Sequence, residues 1–188
     1  MKSFETSTAV LVVRCQLGET DAWELLVQRW HPRLARFVVN MIVDRANADD
    51  VMQTAWLRIV RSLNRLRAPE RFEAWAFRVA RLSVMDHLRR QYREPVSEAF
   101  AESEQGSPSA EREAERIEIE DLVRVGLDEL HATEREVIVL HYLEQLNVAE
   151  VAMVCNVPPG TVKSRLFRAR ATLRQKLTEK ESNNDESK

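Results

Sequence analysis

The stretch Val154-Cys-Asn-Val-Pro-Pro-Gly-Thr-Val-Lys-Ser-Arg-Leu-Phe-Arg-Ala-Arg-Ala-Thr-Leu-Arg174 opens apolar, breaks on two prolines and a glycine, and continues with several bases and no acid. Pro158 and Pro159 have no backbone N–H to donate, so they suit the first positions of a helix, where those donors lack an internal partner. Beyond them Val162, Leu166, Ala169 and Leu173 recur at intervals of four, three and four, which sets them on one buried stripe. That stripe fixes what faces outward. At about 100° per residue, Lys163, Ser164, Phe167, Ala171 and Arg174 lie opposite it, with Arg168 and Arg170 on its flanks.

Upstream, Asn147 is placed to cap a short helix over 148–154, in which Val151 points inward and Ala152 leaves room for a second helix to cross closely. Asn156 then falls where such a turn needs a left-handed residue, and asparagine is among the few side chains that tolerate one. The result reads as a helix-turn-helix. An exposed phenylalanine beside Lys, Ser and Arg fits a major groove, with cations for phosphates and guanine edges and a ring for thymine methyls. The competing reading of the same face is a solvated amphipathic helix.

The remainder of the chain bounds the rest. Its 188 residues carry a formal net charge of −2, so attraction to nucleic acid has to be local. Four glycines, six prolines and 44% hydrophobic residues, with long runs free of breakers, predict an all-α protein. Residues 94–116, rich in Glu, Ser and Pro, read as a flexible acidic linker between two small helical domains over 8–93 and 117–177. Residues 178–188 read as a disordered tail. Expected helices span 8–16, 20–42, 47–65 and 71–92 in the first block, with Asp44 or Asn47 as a cap, and 117–129, 133–143, 148–154 and 159–177 in the second.

Cys15 and Cys155 are far apart in sequence and lack ligand spacing, which argues against a disulfide framework or a zinc site. The only early apolar run, Ala9 to Val13, is too brief for a signal sequence or a membrane span, so a cytoplasmic location is expected. No phosphate-cradling glycine loop or H-E-x-x-H is present, and His31, His87, His131 and His141 are remote from any nucleophile. A non-enzymatic chain without cofactor or metal is the expectation.

In the helix expected over 71–92 one apolar edge is Trp75, Val79 and Leu82, and another is Phe77, Val84 and Leu88. Between them Arg78, Arg81, Met85 and Arg89 share a stripe, which with His87 and Arg90 makes a cationic track suited to phosphates. The plain alternative is that these arginines only cover core edges. Trp23, Trp30, Trp56, Trp75 and Phe77 are assigned to packing because each has aliphatic partners at helical spacing. The helix over 47–65 is expected to bury Met52, Ala55, Trp56, Ile59 and Val60. Asp50, Thr54, Leu57, Arg58 and Arg61 gather on another side, a mixed face of the kind that meets a protein.

Leu146-Asn-Val-Ala-Glu-Val-Ala-Met-Val-Cys-Asn-Val-Pro-Pro-Gly-Thr-Val-Lys-Ser-Arg-Leu-Phe-Arg-Ala-Arg170 resembles the last domain of extracytoplasmic-function (ECF) sigma factors of bacterial RNA polymerase. There V-P-x-G-T-V-K/R-S-R-L/I-x-R-A-R is close to a signature. Leu130-His-Ala-Thr-Glu-Arg-Glu-Val-Ile-Val-Leu-His-Tyr-Leu143 is similar to the segment that precedes it, with His131, read as a capped loop position, where proline is common. Gly18 to Leu26, His31 to Leu34, Asp49 to Thr54 and Arg71 to Arg81 resemble region 2 in order and spacing, so the likeness covers about 10–177. Departures are Thr54 for an acid, Cys155-Asn156 for Leu-Gly, and a compact loop at 67–71.

The resemblance implies a sigma factor that binds core polymerase and directs promoter-specific initiation in a stress or envelope-signal response. Region 2 would grip a coiled-coil clamp of the polymerase through Asp50, Gln53, Thr54, Leu57 and Arg58. The minus-10 element would fall to Arg71, Arg78, Arg81, Arg89 and Arg90, and the minus-35 element to Thr161, Lys163, Ser164, Phe167, Arg168 and Arg170. An anti-sigma partner is a further implication. A helix-turn-helix regulator acting without core polymerase stays open as the alternative, although it has no need of the second cationic track.

Overall fold

The computed structural model describes residues 6–42, 45–91 and 126–185. Every element among them is helical. The expected linker over 94–116, most of the expected 117–129 helix and Asp44 lie outside the described residues.

The N-terminal unit has four helices. Helix α1 (Thr8–Gln16) starts where the Ser7 hydroxyl accepts from the Val10 N–H at 3.4 Å and stops at Gly18, whose φ of 89° suits a residue without Cβ. Helix α2 (Thr20–Met41) passes through Pro32, losing one internal hydrogen bond, and buries Ala22, Leu26, Trp30, Leu34, Phe37, Val38 and Met41. Helix α3 (Ala48–Ser62) follows a 3-10 turn at Arg45–Asn47 and runs into another at Leu63–Arg65. A third such turn, Pro69–Arg71, leads into α4 (Phe72–Gln91). Phe37, Phe72 and Phe77 are fully buried and meet Trp30 or one another edge-on at 5.4–6.4 Å. Each buried phenylalanine contributes about 1.5–3 kcal/mol, with edge-on pairing adding to it.

The C-terminal unit begins for description at Gly126. Helix α5 (Ala132–Ile138) is capped by His131, whose ring nitrogen accepts from the Thr133 N–H at 3.5 Å, and it widens into a π turn at Val139–Leu143. The expected 133–143 helix is therefore α-helical only in its first half. Helix α6 (Val148–Cys155) opens on a capping box: Asn147 Oδ1 accepts from the N–H groups of Ala149 and Glu150, and the Glu150 carboxylate accepts from Asn147 N–H at 2.8 Å. Asn156 ends it at φ 55°, ψ 50°. Helix α7 (Pro159–Asp185) buries Val162, Leu166 and Ala169 with Leu173 beside them, the stripe read from sequence. Its backbone stays helical through much of the expected tail, where Thr178-Glu-Lys-Glu-Ser182 is mostly good helix former.

The two units are docked. Helix α4 packs on α2 and α3 on one side and on α6 on the other, so the buried residues of both units form one continuous core. That double cover explains why α4 buries Ala76, Phe77, Val79, Ala80, Ser83 and Val84 over a broad arc.

Candidate nucleic-acid interface

Helix α7 presents the expected outward face. The αL turn at Asn156 aims it: Val157 N–H donates to Ala152 O at 3.1 Å, closing the turn before Pro159 starts the helix. Lys163, Ser164, Phe167, Arg168 and Arg170 are exposed, and Thr161 is half-buried at the helix start. Phe167 is 70% exposed, far more than a ring needs for packing. Ser164 Oγ donates to Thr161 O at 2.9 Å, and Arg170 Nε to Leu166 O at 3.2 Å. Arg168 Nε reaches Glu134 Oε1 of α5 at 3.0 Å, so this cation is steered by an acid that the sequence reading did not single out.

The cationic track of α4 is divided. Arg71, Arg78, Arg89 and Arg90 face solvent, with Arg89 Nη1 3.4 Å from Asp86 Oδ1 one turn back. Arg81 does not join them. Its Nε and Nη2 both reach the carboxylate of Glu136 on α5, which is 1% exposed. The expected edge residue Leu82 is 46% exposed instead of packed, because the core wraps toward Ser83 and Val84.

On α3 the buried face is Ala48, Val51, Met52, Ala55 and Ile59. Val60, expected inside, is 51% exposed, since it lies about 100° around the helix from Ile59. Trp56 is half-buried and its Nε1 donates to His31 Nδ1 at 3.1 Å, so it edges the core instead of filling it. Asp50, Gln53 and Leu57 are exposed and Thr54 half-buried, and Val60 and Arg61 add to this mixed surface. Arg58 turns back to α4, where it donates to Ser83 Oγ at 3.3 Å and pairs with Asp86 Oδ2 at 2.7 Å.

A second buried acid joins the units. Glu144, its side chain fully buried, accepts from Arg36 Nε at 2.7 Å and Arg33 Nε at 3.3 Å, while Arg36 Nη2 and Arg33 Nη2 donate to the carbonyls of Leu143 and Glu144 at 2.8 and 2.7 Å. Arg33 also pairs with Glu73 at 2.7 Å and lies 4.8 Å from the Trp30 ring and 5.5 Å from that of Phe77. Sequence reasoning missed Glu136 and Glu144. The one trace is that Glu136 immediately precedes the apolar run Val137-Ile-Val-Leu140.

Neither thiol faces solvent. Burial pushes the Cys15 thiol up, and pushes that of Cys155 from 9.0 to about 12, helped by the nearby Glu136 carboxylate. No helix among the described residues is long and apolar enough to cross a membrane.

Sigma-70 region 2 matches residues 26–94 and sigma-70 region 4 matches residues 121–173. The RNA polymerase sigma-H factor of Pseudomonas aeruginosa is 32% identical over 177 residues, covering 89% of this chain and 92% of that protein. The ECF RNA polymerase sigma-E factor of Escherichia coli K12 is 30% identical over 185 residues, covering 93% of this chain and 96% of that protein. The chain is an ECF sigma factor. Among solved structures, CnrH in complex with the cytosolic domain of CnrY aligns with a TM-score of 0.70 at 26% identity, over 92% of this chain and 97% of that one. The region 2 match falls on α2 to α4 and the region 4 match on α5 to α7, and this sigma factor directs transcription. A regulator working apart from polymerase is not favoured.

Proposed function

We propose that the chain binds bacterial core polymerase through the α3 face and reads two promoter elements with two separate helices. Asp50, Gln53, Thr54 and Leu57, with the additional Val60, supply the mixed polar and apolar contact; Arg58, held by Asp86, buttresses it. Thr161, Lys163, Ser164, Phe167, Arg168 and Arg170 take the minus-35 element in the major groove. Arg71, Arg78, Arg81, Arg89 and Arg90 take phosphates of the minus-10 element, where strands separate. The chain works in the cytoplasm and is not an enzyme; bond-making belongs to the polymerase. An anti-sigma protein that holds it inactive is a further expected partner.

The observation that carries this reading is Phe167, held out to solvent among cations on a helix aimed by a left-handed turn. Duplex DNA rewards that combination, and a purely structural helix does not. The test is transcription in vitro with purified core polymerase, on promoters identified by mapping the transcripts that rise when the chain is overproduced. Start sites set by this chain support the reading, and permanganate reactivity across the minus-10 element that survives Arg78→Ala would refute the role given to α4.

A further inference from the structure

The contacts between the two units are asymmetric in charge. Region 4 contributes two carboxylates, Glu136 and Glu144, both buried, and region 2 contributes three guanidinium groups, Arg81, Arg33 and Arg36. A buried carboxylate needs charged or hydrogen-bonding partners in place of water. Here the arginine partners of each come from the other unit. The packing of α4 on α6 and these two ion-pair clusters together join the units.

Arg81 belongs by spacing to the stripe that includes Arg78 and Arg89, and those two remain at the surface. Its forked donors are the ones that a phosphate would take, and a carboxylate presents oxygen acceptors of similar geometry. We propose that Glu136 acts as an internal stand-in for a DNA phosphate. With Glu144 on Arg33 and Arg36, it latches region 4 onto region 2 in a resting form that withholds Arg81 from the promoter. This rests on the DNA role given above to α4. The recognition face of α7 stays exposed in the latched form, so the latch acts on the minus-10 surface and leaves the minus-35 surface open. Mounting on core polymerase, with the units held apart, would break both clusters and return Arg81 to the track.

The test reads inter-unit distance and DNA affinity on the full chain. Spin labels go at Glu24→Cys on α2 and Ala171→Cys on α7, both exposed, while the native thiols are buried. The chain alone should give one narrow distance distribution, and E136Q/E144Q a broad, longer one, as should the unsubstituted chain bound to core polymerase. If E136Q/E144Q fails to fold by circular dichroism, R36E, which sets repulsion against Glu144 from a half-exposed position and leaves Arg81 in place, takes its place in both readouts. A distribution for the free chain that is already broad, or one that stays narrow in the folded variant, overturns the latch.

Anisotropy with a labelled twelve-nucleotide oligo-dT supplies the second readout. If nine chains in ten are latched, opening raises apparent affinity about tenfold, and adding Arg81→Ala to E136Q/E144Q removes the gain. Opening with no gain would overturn the withholding of Arg81 and count against its DNA role, while leaving the closure standing.

Discussion

Phe167 and Leu166 are neighbours on α7, about 100° apart around its axis, one outside and one inside, which permits a sharp separation of binding from stability. Leu166 is 5% exposed in the core, and Phe167 is 70% exposed. Full burial of a phenylalanine is worth about 1.5–3 kcal/mol, so the small covered part of Phe167 contributes less than about 1 kcal/mol, and alanine recovers part of that through its helix propensity. Phe167→Ala should shift stability by no more than about 0.5 kcal/mol. Leu166→Ala removes buried methyl groups and leaves a cavity, at about 2–5 kcal/mol. For a chain of this length each kcal/mol moves the melting temperature by about 2–4 °C. The binding effect runs the other way. Loss of a base-edge contact costs about 1–3 kcal/mol, so Phe167→Ala should weaken holoenzyme binding to a minus-35 duplex by about 5- to 150-fold, measured by anisotropy at fixed salt. A Phe167→Ala melt that falls as far as that of Leu166→Ala, or unaltered promoter affinity at full stability, would refute the assignment of the two faces.

Asn156, exposed and left-handed, should tolerate Gly with no loss of stability, whereas Asn156→Ala should cost about 1–2 kcal/mol in a urea titration; equal midpoints for the two variants would exclude backbone conformation as the constraint. Cys155 adds an alkaline dependence. A neutral buried thiol whose folded pKa stands near 12 against 9.0 stabilises fully below about pH 9, and that contribution is lost as pH rises toward 12. The wild type should therefore lose about 2 kcal/mol more than Cys155→Ala between pH 8 and 10.5, and parallel losses would contradict it.

Legibility followed the range of the interactions. The α7 stripe, the Asn147 cap, the left-handed Asn156 and the outward Phe167 depend on neighbours within two turns, so residue spacing carries them. Helix α4 has the same apolar periodicity, yet the fate of Arg81 is decided by Glu136, 55 residues away on another unit. Spacing says which residues share a stripe and nothing about what comes to cover it. Val60 was misplaced for a nearer reason: a β-branched apolar side chain beside Ile59 looks like core, and only the packing of α3 puts it outside. The α3 and α4 assignments to polymerase and minus-10 DNA came from family likeness, because mixed charge on a helix face does not by itself name a partner.

Arg33 stands apart from the other bridging arginines. Besides Glu144 it holds Glu73 and lies over two aromatic rings, all within its own unit. Losing region 4 would therefore leave Arg33 with a counterion and a stacking bed, whereas Glu144 would forfeit both of its cations together. In the proposed latch, the charge cost of separation falls mainly on the region 4 side, whose two acids must find water. Arg33 would keep its own-unit contacts through each parting and rejoining, the behaviour of a reusable dock rather than a seal broken once.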